Sequence, residues 1–160
     1  MISRATTILT LGLVLACSHH KQKAQKPVNH ISSAVGIALY EQRPDEGFSG
    51  TGTSFSFVRP DDSDSDVVFG YLATDEEPII RINDHPFRLK FIRSAILKEG
   101  SGPNRLGRRK TEVWGNSEVN IELDYQNARI EDGETGLEGT MTVSYSGKKA
   151  VFKIRGGFGE

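Results

Sequence analysis

From Ile31 onward the apolar side chains recur at every second position, a period that suits strands and does not suit helices. Val119, Ile121, Leu123 and Tyr125 alternate with Glu118, Asn120, Glu122 and Asp124, which describes a strand with one face on a core and the other in water. Over 34–40, Val35, Ile37 and Leu39 share one face, with small residues between them. Further strands are expected at 51–59, 67–73, 79–83, 87–94, 139–145 and 149–155. Turn chemistry separates them: Asn83-Asp84-His85-Pro86, the Gly-rich stretch 100–107, and Ser146-Gly147. No stretch carries a sustained helical stripe, and 94–99 is expected to form a turn or short helix. The spacing therefore predicts an all-β fold, an antiparallel β-sandwich or small β-barrel of about eight strands. No internal repeat is visible.

Composition narrows the function classes. The chain of 160 residues has a single cysteine, so neither an internal disulfide nor a multi-cysteine zinc site can form. Mean hydropathy is -0.40 and there is one apolar run, which excludes a polytopic helical membrane protein. Twenty basic residues against twenty-one acidic ones argue against a dedicated nucleic-acid binder.

The apolar run lies at the N-terminus. Residues 1–16 contain one charge, Arg4, followed by an apolar stretch from Ala5 to Leu15. At about 1.5 Å per residue this stretch reaches roughly 17 Å as a helix, well short of a hydrocarbon core of about 30 Å. It has the pattern of an export signal. The segment ends Val14-Leu15-Ala16-Cys17, which resembles the lipobox of bacterial lipoproteins. That resemblance covers only the first eighteen or so residues. It implies that Cys17 is the lipid attachment site, that fatty acyl chains hold the protein to a membrane, and that residues 1–16 are removed. In that family Ser18 after the cysteine is similar to an outer-membrane sorting signal where the envelope is Gram-negative. Val14 and Ala16 also satisfy the cleavage rule of a plain secretory signal, which would leave Cys17 as a free thiol in an oxidising compartment. Residues 17–28 follow as lipidated cysteine and polar tether, closed by Pro27, and 29–160 form a single globular domain. Removing sixteen residues from 160 leaves 144, enough for one core.

Catalytic patterns are sparse, and no catalytic residue, cofactor or metal is expected. The histidines outside the tether are His30 and His85, the latter in an expected turn. Ser54, in Gly52-Thr53-Ser54-Phe55-Ser56, lacks the second glycine of a nucleophile elbow. Gly50-Thr51-Gly52 precedes a strand and has no helix N-terminus to hold a phosphate. The alternating Asp61, Asp62, Asp64 and Asp66 fail the EF-hand pattern, because Val67 and Ala73 stand where glycine and glutamate are required. His19 and His20 lack a preset third ligand. Trp114 and Tyr125 suit either a stacking surface or a core.

Charge is segregated along the chain. Segment 41–77 holds ten acidic and two basic residues, a net of -8, and 79–110 holds nine basic and two acidic, a net of +7. Two candidate interaction loops follow: Asp61, Asp62, Asp64 and Asp66 on one side, and Arg105, Arg108, Arg109 and Lys110 on the other. The alternative is that the blocks pair with each other. The expected function is that of a lipid-anchored cell-envelope protein with a binding role and no enzymatic one. Its expected partners are the membrane, through Cys17, and an envelope protein, lipopolysaccharide or lipid. Inhibition of a cationic, lysozyme-like enzyme and an envelope hydrolase are the competing readings.

Overall fold

The computed structural model describes residues 30–46, 52–61, 63–74, 76–129 and 135–158. The export segment, Cys17, the tether with His19 and His20, Gly50-Thr51 and Asp62 lie outside the described residues.

The architecture is all-β, in two antiparallel sheets. Among the described residues there are eleven strands: β1 His30–Ser32, β2 Ala38–Tyr40, β3 Thr53–Phe57, β4 Phe69–Tyr71, β5 Ile79–Ile82, β6 His85–Arg88, β7 Lys90–Lys98, β8 Arg109–Gly115, β9 Val119–Arg129, β10 Thr135–Tyr145 and β11 Lys148–Phe158. The larger sheet runs β4-β3-β11-β10-β9-β8-β7 and the smaller β1-β2-β5-β6.

Period two explains the long central strands. In β9, Val119, Ile121, Leu123 and Tyr125 are buried while Asn120 and Glu122, like Glu118 just before the strand, are exposed. β10 stacks Val143, Met141 and Gly139 opposite Ile121, Leu123 and Tyr125, and β11 adds Ala150, Phe152 and Ile154 to the same face. Two hairpins turn where both central residues have positive φ, at Asn83-Asp84 and Ser146-Gly147. Such turns match the strand twist.

The larger sheet is curled. Tyr71 in β4 and Glu112 in β8 stand five strand spacings apart, about 24 Å across a flat sheet. Yet the Tyr71 hydroxyl donates to Glu112 Oε2, and the Tyr71 and Trp114 rings are 4.6 Å apart. The sheet therefore rolls until its β4 edge meets the inner face of β8. Gly139 and Gly156 permit the roll: a Cβ would lie 2.1 Å from Asp124 O at the first and 2.1 Å from Ser54 O at the second. The smaller sheet contributes Leu39, Ile80 and Ile82 to the same core, together with Ile37 and Leu89 beside it, and Phe87 meets Tyr145 at 5.3 Å.

Three local expectations are corrected. Residues 94–99 form no turn or helix; β7 runs on through Lys98. The basic run Arg109-Lys110 belongs to β8 and not to a connection. Val35, expected beside Ile37 and Leu39, lies exposed in a turn that Gly36 completes at φ +77°. The strand count is also higher than expected, because β1 adds to the smaller sheet, the expected strand 87–94 divides between β6 and β7, and β8 stands where no strand was expected.

Candidate functional site

Two polar clusters occupy opposite faces of the curled sheet. The outer one is a groove of about 830 Å³. Outward positions of β3 supply Ser54 and Ser56, β11 supplies Arg155 and Gly157, β10 supplies Glu138, and Arg129 ends β9. The segment after β3 forms the wall with Asp61, Ser63 and Asp64. Asp61 shapes that wall by accepting hydrogen bonds from the Ser63 backbone at 3.1 Å and its hydroxyl at 2.6 Å. The Ser63 hydroxyl, with the Ser63 N–H next, holds the Asp61 carboxyl below its ordinary range. Arg59 fixes the far end by donating to Asp64 O at 2.9 Å and to Glu41 Oε1 at 2.9 Å. Asp66 donates its N–H to the same Glu41 oxygen at 3.1 Å.

Arg155 crosses the groove between two carboxylates, 3.7 Å from Asp64 Oδ1 and 3.9 Å from Glu138 Oε1. Gly157 leaves open space where a side chain would stand. Hydroxyls, guanidinium groups and carboxylates thus converge on one concave surface. That arrangement can hydrogen-bond a polar ligand and exchange a long, half-exposed ion pair for a ligand's own charge. Its lining includes no histidine to activate a serine. His30 stacks on Tyr40 at 4.8 Å, and His85 is exposed at the start of β6.

The inner cluster is centred on Glu112, which has no exposed surface. The parity that buries Trp114 and faces Lys110 inward also sends Glu112 into the core. Tyr71 donates to Oε2, Tyr125 to Oε1 at 3.0 Å, and Trp114 Nε1 to Oε2 at 3.3 Å. Lys110 Nζ lies 2.5 Å from Oε1. Burial first, and charge and hydrogen-bonding neighbours after it, push both tyrosines above their ordinary value, so they remain neutral donors. A carboxylate with this many donors is satisfied and serves as a fastener between β4 and β8. Sequence reasoning missed it. The available signal was its position, two residues before Trp114 and two after Lys110.

Among the described residues, Asp61 and Asp64 form no ion pair with Arg105, Arg108, Arg109 or Lys110. Asp61 and Asp64 line the groove, and Asp64 faces Arg155 of the C-terminal strand, outside the basic block. Arg109 makes a two-point pair with Asp124, at 2.8 and 2.6 Å. Arg108 Nε is 3.8 Å from Glu99 Oε2, and Lys110 points inward to Glu112. Arg105 is exposed at φ +49°. Strand parity thus divides the contiguous basic run between two faces. Between the blocks, the pairs among the described residues include Arg81 with Glu46, Arg43 with Asp84, and Lys90 with Glu77. Trp114 and Tyr125 are core residues.

Among the described residues there is no cluster of metal-ligating side chains and no helix long and apolar enough to cross a membrane. Compared with protein families, curated proteins and solved structures, the chain matches none of them.

Proposed function

We propose that this is a lipid-anchored cell-envelope protein, held to its membrane through Cys17, that binds a polar envelope component in the outer groove and catalyses no reaction. The observation that carries the binding role is the convergence of Ser54, Ser56, Arg155, Glu138 and the 61–64 wall around about 830 Å³. The anchoring half rests on Val14-Leu15-Ala16-Cys17. Two or three acyl chains, at about 0.8 kcal/mol per buried methylene, suffice for stable attachment where one does not.

The groove's charge favours one competing reading in particular. Asp61, Asp64 and Glu138 outnumber Arg129 and Arg155, so a cationic side chain from a partner finds more attraction than repulsion. Inhibition of a cationic envelope-attacking enzyme is therefore the second reading, and it uses the same groove.

The test is affinity capture from solubilised envelopes with wild type, Asp64→Asn and Arg155→Gln. Both replaced side chains are partly exposed, and each variant is expected to keep its melting temperature within a few degrees. A component held by wild type and lost from both variants supports the groove. A component held equally by all three proteins removes it as the binding surface. Loss from Asp64→Asn alone, with purified lysozyme as the component, selects the inhibitor reading.

A further inference from the structure

The geometry points to β7 as a docking surface for an anionic lipid bilayer, which would fix how the domain lies on the membrane; the inference rests on the anchored reading above. The curled sheet closes β4 onto β8 and leaves β7 as an overhanging edge. Only its Phe91 turns back to the core, against Trp114 at 5.2 Å. Ile92, Ile96 and Leu97 are 54%, 47% and 54% exposed, three large aliphatics on one nine-residue strand.

Charge and backbone geometry decide what covers them. β7 carries Lys90, Arg93 and Lys98 and no acidic residue, and Arg105 lies exposed in the connection to β8. Arg93, Lys98 and Arg105 form no ion pair with the described residues, and Lys90 has only an exposed one with Glu77. Arg93 and Lys98 stand opposite Val113 and Arg109, and Ile96 opposite the inward Lys110, so it is along the free edge, where the bulged Ile92 and Leu97 adjoin Arg93 and Lys98, that aliphatics and cations together complement an anionic headgroup layer over acyl chains. A second copy fits poorly: antiparallel pairing about Ser94 would set Lys90 opposite Lys98. The pairing of β7 with β8 also shifts register between Phe91 and Arg93 and between Ile96 and Lys98. Those bulges break the two-residue repeat that an added strand needs, while still displaying Ile92 and Leu97. A fluid surface needs no register. Thirteen residue steps from Cys17 to His30 span at most about 47 Å, comparable with the diameter of a domain this size, so the edge stays within reach of the bilayer.

The test uses the full chain purified from the membrane fraction, carrying Leu97→Cys or, as a control on β11, Lys149→Cys, each labelled with a fluorophore. Vesicles contain a brominated-chain quencher in either phosphatidylcholine or a phosphatidylcholine–phosphatidylglycerol mixture, and the mass of the N-terminal peptide is read in parallel. Docking predicts at least twofold stronger quenching at 97 than at 149 in the anionic vesicles. High salt, or Arg93→Gln with Lys98→Gln and Arg105→Gln, should abolish that difference. Equal quenching at both sites in an acylated protein overturns the docking and leaves the anchor standing. An unmodified Cys17 overturns the anchor, and the same quenching comparison in a Cys17→Ser background then decides docking separately. A signal at 97 that follows protein concentration and ignores lipid identifies a second copy and overturns the inference.

Discussion

Replacing Tyr71 by Phe removes one oxygen from the fastener that closes the curled sheet. The ring remains, so its contacts with Trp114 at 4.6 Å and Phe69 at 5.9 Å persist and no cavity opens. What disappears is one hydrogen bond to a fully buried carboxylate, an interaction of about 1.5–3 kcal/mol. For a chain of this size that lowers Tm by roughly 3–12 °C. Glu112→Ala should cost more, about 3–5 kcal/mol, because it leaves Lys110 without its partner and three donors without an acceptor. Glu112→Leu removes the acceptor while filling the volume. In that background Tyr71→Phe should cost well under half of what it costs in wild type. Urea unfolding followed by Trp114 emission and circular dichroism gives all four corners of the cycle. A Tyr71→Phe loss below about 0.5 kcal/mol, or an equal loss in both backgrounds, would show that the contact between β4 and β8 does not hold the curl.

Gly139→Ala should destabilise by several kcal/mol, since its Cβ would collide with the backbone of Asp124 and Tyr125, while Gly157→Ala, in open space, should stay within about 1 kcal/mol of wild type; equal effects would deny a bend at Gly139. Leu123→Ala, with no exposed surface, should cost about 2–5 kcal/mol and Glu122→Ala under about 0.5, and parity between them would overturn the register of β9. The Arg109 hydrogen bond, with its charge, holds the Asp124 carboxyl below the ordinary carboxylate value of about 3.9, so the pair's stabilisation is complete above that pH and is lost as pH falls through the lowered folded pKa. Arg109→Gln should raise the Asp124 midpoint in a carboxyl NMR titration; an unmoved midpoint would refute the pairing.

The sequence made β9 legible because a half-buried strand paired on both sides, by β8 and β10, writes its two faces as alternating chemistry. β8 was hidden because the positions that face inward carry Lys110 and Glu112, which look like solvent residues until the two tyrosines are placed beside them. β7 was only half legible for the opposite reason. With both faces open beyond Phe91, nothing imposes alternation on Ser94-Ala95-Ile96-Leu97. The acidic loop was visible as a loop, but its counterpart was not: Arg155 lies 91 residues from Asp64 and is brought near it by the antiparallel pairing of β11 with β3 and the bridge of Asp64 back to Val58. Within the basic cluster Arg109 pairs outward with Asp124 and Lys110 inward with Glu112, because contiguity in sequence is opposition in a strand. Neutralising Arg105, Arg108, Arg109 and Lys110 together would therefore unpair Glu112 as well, whereas Arg105→Gln perturbs the surface alone.

The anchored reading is tested most directly by the intact mass of the N-terminal peptide, isolated from the envelope of the cell that makes the protein. An anchored protein yields a peptide beginning at Cys17, lacking residues 1–16 and heavier by a thioether-linked diacylglycerol with or without an amide-linked acyl chain. A peptide bearing an unmodified Cys17 thiol, or one cut at another residue, would contradict the anchored reading.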